Sequence, residues 1–324
     1  MNKADSERIA ASLEKKGYRP APQDDADLII VNMCSVRQPA VDRVWGKIKI
    51  FDKLKIKNPK LKTVLTGCIT KRDKRNFAGK FDEIWHNKDF LENFPKCEKD
   101  SIAYIPISNG CSNFCTYCVV PFTRGPLICR SHIKILKETK MAIKNGAKEI
   151  WLLGQNVNDY KDGNINFVKL LKMVNDIPKN FSLHFLSANP KDFSDELIKL
   201  IAKSKKISKY INLPVQSGDD KILRTMNRPY TAEQYKDLVK KMKEKIPDIN
   251  LTTDIIVGFP GETKKQFENT KKLVKELKFN VAFISKYSSR PGTAASKMKG
   301  EIPKNEKKRR WKVLNKIINE KNKP

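Results

Sequence analysis

Three cysteines fall within eight positions of the run SNGCSNFCTYCVVPFTRG, residues 108–125: Cys111, Cys115 and Cys118. The gaps between them are three residues and then two. Thiolates at this density are metal ligands. A structural zinc ion takes four closed ligands, and Cys129 or His132 would then complete the set. Iron–sulfur clusters are also held by thiolates. Three cysteines on a four-iron cluster leave one iron open to a substrate or cofactor. Phe114 and Tyr117 lie between the cysteines, which predicts a packed, shielded loop rather than two paired Cys-x2-Cys halves. The spacing favours a cluster with an open iron, with zinc as the competing reading.

Other chemistry-bearing residues recur just after apolar, β-branched runs. Cys34 follows LIIVNM and Cys68 follows TVLTG. Gly154, Gln155 and Asn156 follow EIWLL, and Ser187 follows LHFL. Gln216, Ser217 and Gly218 follow INLPV, and the segment Gly258 to Glu262 follows DIIV. Each of these alone reads as a turn, and Glu262 alone complements a helix N-terminus. Parallel sheets place ligands at the carboxyl ends of their strands. The coincidence of all of them predicts one site at the mouth of a parallel α/β fold.

The elements that must position them alternate. Helical patterns over 133–145, 193–202, 231–245 and 263–278 separate the strand runs, which argues for βαβ units. A small α/β domain is predicted over residues 1–100. Six βα units, an incomplete barrel or open curved sheet, are predicted over 101–302. The first residues lead straight into a helix, with Asp5 as its expected N-cap and Ile9 and Leu13 on its apolar side. Residues 303–324 carry nine Lys and Arg against Glu306 and Glu320, with Trp311, Leu314, Ile317 and Ile318 at helical spacing. This reads as a basic amphipathic helix with its apolar stripe on the protein and its charges outward.

The chain has 324 residues, seven cysteines and a formal net charge of +30. The excess of positive charge suits a polyanionic partner. No apolar run of transmembrane length and no signal-peptide core are visible, which predicts a cytoplasmic protein without a membrane partner. Clustered cysteines in a reducing compartment point to metal or redox chemistry.

The Cys-x3-Cys-x2-Cys run with an aromatic before its last cysteine resembles the signature of radical S-adenosylmethionine (SAM) enzymes. The wider set CSNFCTYCVVPFTRG, LLGQNVNDY, LPVQSGDDKILRTMNRPYT, TTDIIVGFPGET and YSSRPGTAA resembles the methylthiotransferase family over nearly the whole chain. NMCSVRQPA resembles the tRNA-modifying type within it. The resemblance implies a methylthiotransferase N-terminal domain, a partial (β/α)6 radical-SAM barrel and a C-terminal basic helix leading to an RNA-binding β-barrel that is expected to be absent here. It implies a [4Fe–4S] cluster on Cys111, Cys115 and Cys118, with SAM on the open iron. Tyr117, Gly154, Gln155, Ser187 and Gln216 would contact SAM. A second [4Fe–4S] cluster would sit on Cys34 and Cys68. The implied reaction is methylthiolation of carbon 2 of isopentenyl-adenosine beside the tRNA anticodon. The implied partners are tRNA and an electron donor such as flavodoxin or ferredoxin, with a monomeric enzyme. A different tRNA adenosine, a ribosomal-protein aspartate, or a non-catalytic zinc and RNA binder are the alternatives.

The chain departs from the family pattern in three places, the first being the expected absence of the RNA-binding β-barrel after the basic helix. Family members carry a further N-terminal cysteine in a strand-end GCQMN run, and MNKADSER resembles the tail of that motif. The expected consequence is a weakened second cluster, with Cys97 in its charged segment a poor substitute. The family's SHP run is here Ser187-Ala188-Asn189-Pro190. His86, His132 and His184 stand beside no nucleophile and are expected to be structural or solvated.

Overall fold

The computed structural model describes residues 1–36, 38–95 and 102–319. The expected domain boundary near residue 100 and Cys97 lie outside the described residues. The N-terminal part runs α1 (Asn2–Lys15), β1 (Leu28–Cys34), α2 (Gln38–Lys57), β2 (Lys62–Cys68), α3 (Lys71–Phe77) and β3 (Glu83–Ile84). The three strands form a parallel sheet in the order β1-β2-β3. Val41, Val44, Ile48, Phe51 and Leu54 recur every three or four residues on α2, and they bury against Met33, Leu65, Phe77 and Phe81.

Asp5 is not the cap of α1. The helix begins at Asn2, and the backbone N–H of Asp5 already donates to the Met1 carbonyl at 2.9 Å. The Asp5 carboxylate instead accepts from Asn87 and from Arg124. A partner distant in sequence has taken the side chain that local propensity assigns to the helix end.

From Ile102 onward the described residues make six parallel strands, each followed by a helix, besides two short antiparallel pairs. The strands are β4 (Ile102–Pro106), β5 (Glu149–Leu153), β6 (Ser182–Phe185), β7 (Tyr210–Asn212), β8 (Asn250–Val257) and β9 (Val281–Lys286). The helices are α4 (His132–Lys144), α5 (Phe167–Asn175), α6 (Asp195–Lys203), α7 (Ala232–Lys245), α8 (Lys264–Leu277) and α9 (Lys304–Asn319). Strands β4, β5 and β6 pair in parallel, as do β7, β8 and β9. A parallel bridge between Leu183 and Ile207 joins the two sheets. The result is an arc of six parallel strands in chain order, and no closed barrel is formed among the described residues. Thr231 with Gln234, and Thr263 with Gln266, form capping boxes that start α7 and α8 at the predicted positions.

Strand alternation divides the arc into two faces. Ala103, Ile105, Ile150, Leu152, Leu183 and Phe185 lie in the core with the helices. Tyr104, Trp151 and His184 are aligned across β4, β5 and β6 on the other face. His184 stacks flat on Trp151, with ring centroids 4.3 Å apart.

The basic helix corrects the sequence expectation. It is the sixth helix of the arc, packed on β9, and two of its cations face inward. Lys307 and Arg310 are 5% and 3% exposed, beside the buried Leu314 and Ile318. Arg310 donates at 2.6 Å to Glu262, itself 1% exposed, and Lys307 lies over the Tyr287 ring. A buried carboxylate at the end of β8 demands a buried cation, and periodicity of apolar residues alone cannot see that demand. Among the described residues no helix is long and apolar enough to cross a membrane. Replacing Arg310 by Ala strands the Glu262 carboxylate. It should lower stability by roughly 3–5 kcal/mol in guanidinium unfolding.

Candidate functional site

The cysteine loop leaves β4 through Ser108 and Asn109, which pair antiparallel with Cys129 and Ile128. Gly110 has φ +79°, and a Cβ there would lie 2.0 Å from the Pro126 carbonyl oxygen, so only glycine can make this turn. Phe114 adopts a left-handed backbone at φ +48°. Asn227 holds it there, donating to the carbonyls of Asn113 and Phe114 at 3.1 and 3.2 Å. Shielding of the loop is one-sided. Phe114 is 57% exposed, whereas Tyr117 packs against the cluster of Ile222, Met226 and Phe259.

Each of the three thiols receives an N–H donor. Asn113 donates to Cys111 Sγ at 3.4 Å, Arg228 to Cys115 Sγ at 3.5 Å, and the Val120 amide to Cys118 Sγ at 3.5 Å. Arg228 is 8% exposed and also donates to Tyr230 and to the Pro214 carbonyl. Burial pushes the Cys118 thiol up to about 11, and the nearby Cys115 and Cys111 sulfurs add to the rise. Burial also raises Tyr117, opposed by the Arg228 guanidinium. Among the described residues no three His, Cys, Asp or Glu side chains close on a single-ion site. The zinc candidates have other partners. His132 Nδ1 lies 2.6 Å from Asp162, and Cys129 Sγ accepts from the Lys161 amide.

The strand ends bring their polar residues to this loop. A Cβ on Gly154 would lie 2.7 Å from Ser108 Oγ, so β5 approaches the loop as closely as a bare backbone allows. Ser187 and Gln216 both take left-handed backbone, at φ +65° and +72°. The Ser187 carbonyl accepts from the Val157 amide, and the Gln216 backbone bridges to β8. Ser108 Oγ, Gln155 Oε1, Asn156 Oδ1 and Gln216 Oε1 are buried without a hydrogen-bond partner. Buried polar atoms are ordinarily satisfied, so a group of orphans at one end of a sheet marks where a polar ligand sits. Three thiols with N–H donors beside unpartnered amides suit a thiolate-held cluster with a polar organic cofactor on its open iron.

A second thiol pair lies in the N-terminal sheet. Cys34 and Cys68 are cross-strand neighbours at the ends of β1 and β2. The hydrogen bond between them and burial raise the Cys68 thiol, and the Arg124 cation opposes that rise. Arg124 follows the cysteine loop in sequence, yet its side chain reaches across to the pair. It donates to Cys68 Sγ at 2.9 Å, to Asp5 at 2.5 Å, to Asn2 at 3.1 Å and to Asn109 at 2.9 Å. Arg290 reaches the same sheet from the loop after β9, donating to the Ser35 carbonyl and to Gln38. The pair offers two thiolates to a cluster. Sequence reasoning overlooked Arg124, Arg228 and Arg290. All three lie inside the quoted runs PFTRG, MNRPYT and SSRPGT, where an arginine embedded among Pro, Thr and Gly was the available signal.

Two family models match the chain, the Radical SAM superfamily over residues 105–274 and the Uncharacterized protein family UPF0004 over residues 1–86. The chain is 41% identical to a tRNA-2-methylthio-N(6)-dimethylallyladenosine synthase of Clostridium botulinum, over 99% of this chain and 79% of the relative. A protein of the same name from Carboxydothermus hydrogenoformans is 39% identical over 98% of this chain and 81% of its own. Among solved structures, the radical S-adenosylmethionine methyltransferase TsrM of Kitasatospora setae with tryptophan substrate and a SAM analog superposes with a TM-score of 0.57. That match is 14% identical and covers 86% of this chain and 64% of TsrM, so it speaks to the fold.

In the metal-free protein, Cys118 should react slowly with iodoacetamide at pH 8. The rate should rise as pH approaches about 11, because only the thiolate attacks and burial holds the proton on. Peptide-level mass spectrometry of the alkylated protein measures this.

Proposed function

The chain belongs to the family of the tRNA-2-methylthio-N(6)-dimethylallyladenosine synthases within the Radical SAM superfamily, and from that premise we propose how its residues serve the reaction. The function is methylthiolation of carbon 2 of isopentenyl-adenosine in tRNA, next to the anticodon. The observation that carries this reading is the match of two-fifths of residues over nearly the full chain, joined to a thiol loop facing orphaned amides.

Cys111, Cys115 and Cys118 would hold a [4Fe–4S] cluster. When bound, that cluster and SAM supply a 5′-deoxyadenosyl radical able to take hydrogen from a substrate carbon. Gln155, Gln216, Ser187 and the bare backbone of Gly154 would line the cofactor, and Tyr117 would close the loop side. Arg228 would hold Cys115 and keep positive charge beside the thiolates. Cys34 and Cys68 would ligate the second cluster, with Arg124 donating to its sulfur. In this reading residues 1–100 form the sulfur-handling domain and 101–302 the radical domain. The enzyme works in the cytoplasm as a monomer, with tRNA as its substrate and flavodoxin or ferredoxin as the electron source.

The test is nucleoside mass spectrometry after anaerobic reconstitution with iron and sulfide, dithionite, SAM and tRNA bearing isopentenyl-adenosine. The expected product is the 2-methylthio nucleoside with 5′-deoxyadenosine. Neither product from colourless protein would overturn the reading. Two variant classes should separate. Cys115→Ser should abolish both products and the brown colour of the radical cluster. Cys34→Ser and Cys68→Ser should lose the methylthio nucleoside and keep 5′-deoxyadenosine formation.

A further inference from the structure

The inward burial of Lys307 and Arg310 has a geometric counterpart on the opposite side of α9. Lys304, Lys308, Lys312 and Lys316 recur every four residues and are all exposed. At 1.5 Å rise per residue they stand roughly 6 Å apart along the axis and span about 18 Å. The only acid within the helix is Glu306, and it is taken by Arg309 and Arg310. Among the described residues Lys304, Lys308 and Lys312 enter no ion pair. Lys304, Lys308 and Lys312 therefore form a strip of positive charge without an ion-pair partner among the described residues.

The strip is fixed in place. Gly258 stands at the carboxyl end of β8, on the mouth side of the arc, and a Cβ there would meet Lys307 Cγ at 2.4 Å. The first turn of α9 is thus wedged against the mouth, and the row leads away from it. An aromatic borders the row. Trp311 is 37% exposed, with its indole N–H fixed to the Ile284 carbonyl at 3.0 Å, next to Phe283, which is 48% exposed. Regularly spaced cations beside a rigid, half-exposed indole suit a flexible strand that carries one phosphate per unit and planar bases.

We propose that the Lys304–Lys308–Lys312 row of α9, with Trp311 at its border, is a track for the phosphate backbone of the RNA substrate leading into the mouth of the arc. This rests on the tRNA reading above and names the surface that would carry it. Phosphate contacts position the strand without reading its sequence, so the track sets affinity and register while the mouth selects the base.

The experiment measures binding of the full chain to a tRNA transcript by fluorescence anisotropy across a series of salt concentrations. Lys304→Glu, Lys308→Glu and Lys312→Glu are combined in one variant. Lys49→Glu, Lys53→Glu and Lys57→Glu on α2 form a control with the same spacing, exposure and charge change. Each phosphate contact contributes about 0.7–0.9 to the slope of log affinity against log salt. The α9 variant should lose about 2–3 from that slope, and the α2 control should lose far less. Trp311→Ala should weaken binding and leave the slope unchanged. Equal losses in the two triple variants would mean net charge only and overturn the track, as would an unchanged slope in the α9 variant. Should the glutamates lower the melting temperature, the Lys→Gln triple removes the same contacts and makes the same comparison. If the wild-type chain itself binds tRNA without salt dependence, the track falls, and the nucleoside assay then decides separately whether the tRNA reading falls with it.

Discussion

Burying a thiol disfavours its thiolate, and a protein that gathers five thiols at the strand ends of two sheets must counter that cost with positive charge and N–H donors. In this chain buried arginines do so. Arg228 stands beside Cys115, and Arg124 donates to Cys68. Arginine suits the role because its charge survives burial and its fork reaches several acceptors at once. Arg124 serves four, and they belong to the two halves of the molecule. The same contact that steadies a sulfur also docks the N-terminal sheet on the radical loop.

Other buried cations extend this junction. Arg8 of α1 pairs with Glu138 of α4 and donates to the carbonyls of Leu91 and Tyr104. Arg290 reaches the carbonyl of Ser35, the residue after Cys34. Polar pins of this kind set orientation more sharply than apolar contact, because a hydrogen-bonding fork tolerates little rotation. The two thiol groups are held in a defined relation by buried arginines.

The arc itself is apolar on its helix side and mixed on its other face, and its sixth helix closes one end with a buried ion pair. Glu262 is held by the Gly258 amide and by Arg310, so the loop after β8 and the start of α9 form one rigid corner of the mouth. That corner leaves Lys304, Lys308 and Lys312 of α9 exposed, in a row. Burial of two cations and exposure of the others are consequences of one helix phase.

The alternation of strands and helices, the six βα units and the placement of polar residues at strand ends were all legible in the sequence, because they follow from local periodicity and turn chemistry. The helical patterns put the starts of α7 and α8 within one residue for the same reason. The thiol loop was legible because three cysteines at fixed spacing have few other uses. What the sequence left undetermined depends on partners distant along the chain. Asp5 reads as a cap and is in fact a counterion for Arg124, 119 residues away. Lys307 and Arg310 read as solvated charges and are buried, because Glu262 takes Arg310 while Lys307 lies over the Tyr287 ring and pairs with Glu301. Phe114 reads as a shield and is exposed, since its left-handed backbone turns it outward. Long side chains with one charged end can satisfy either solvent or a buried partner, and only the assembled fold supplies the partner.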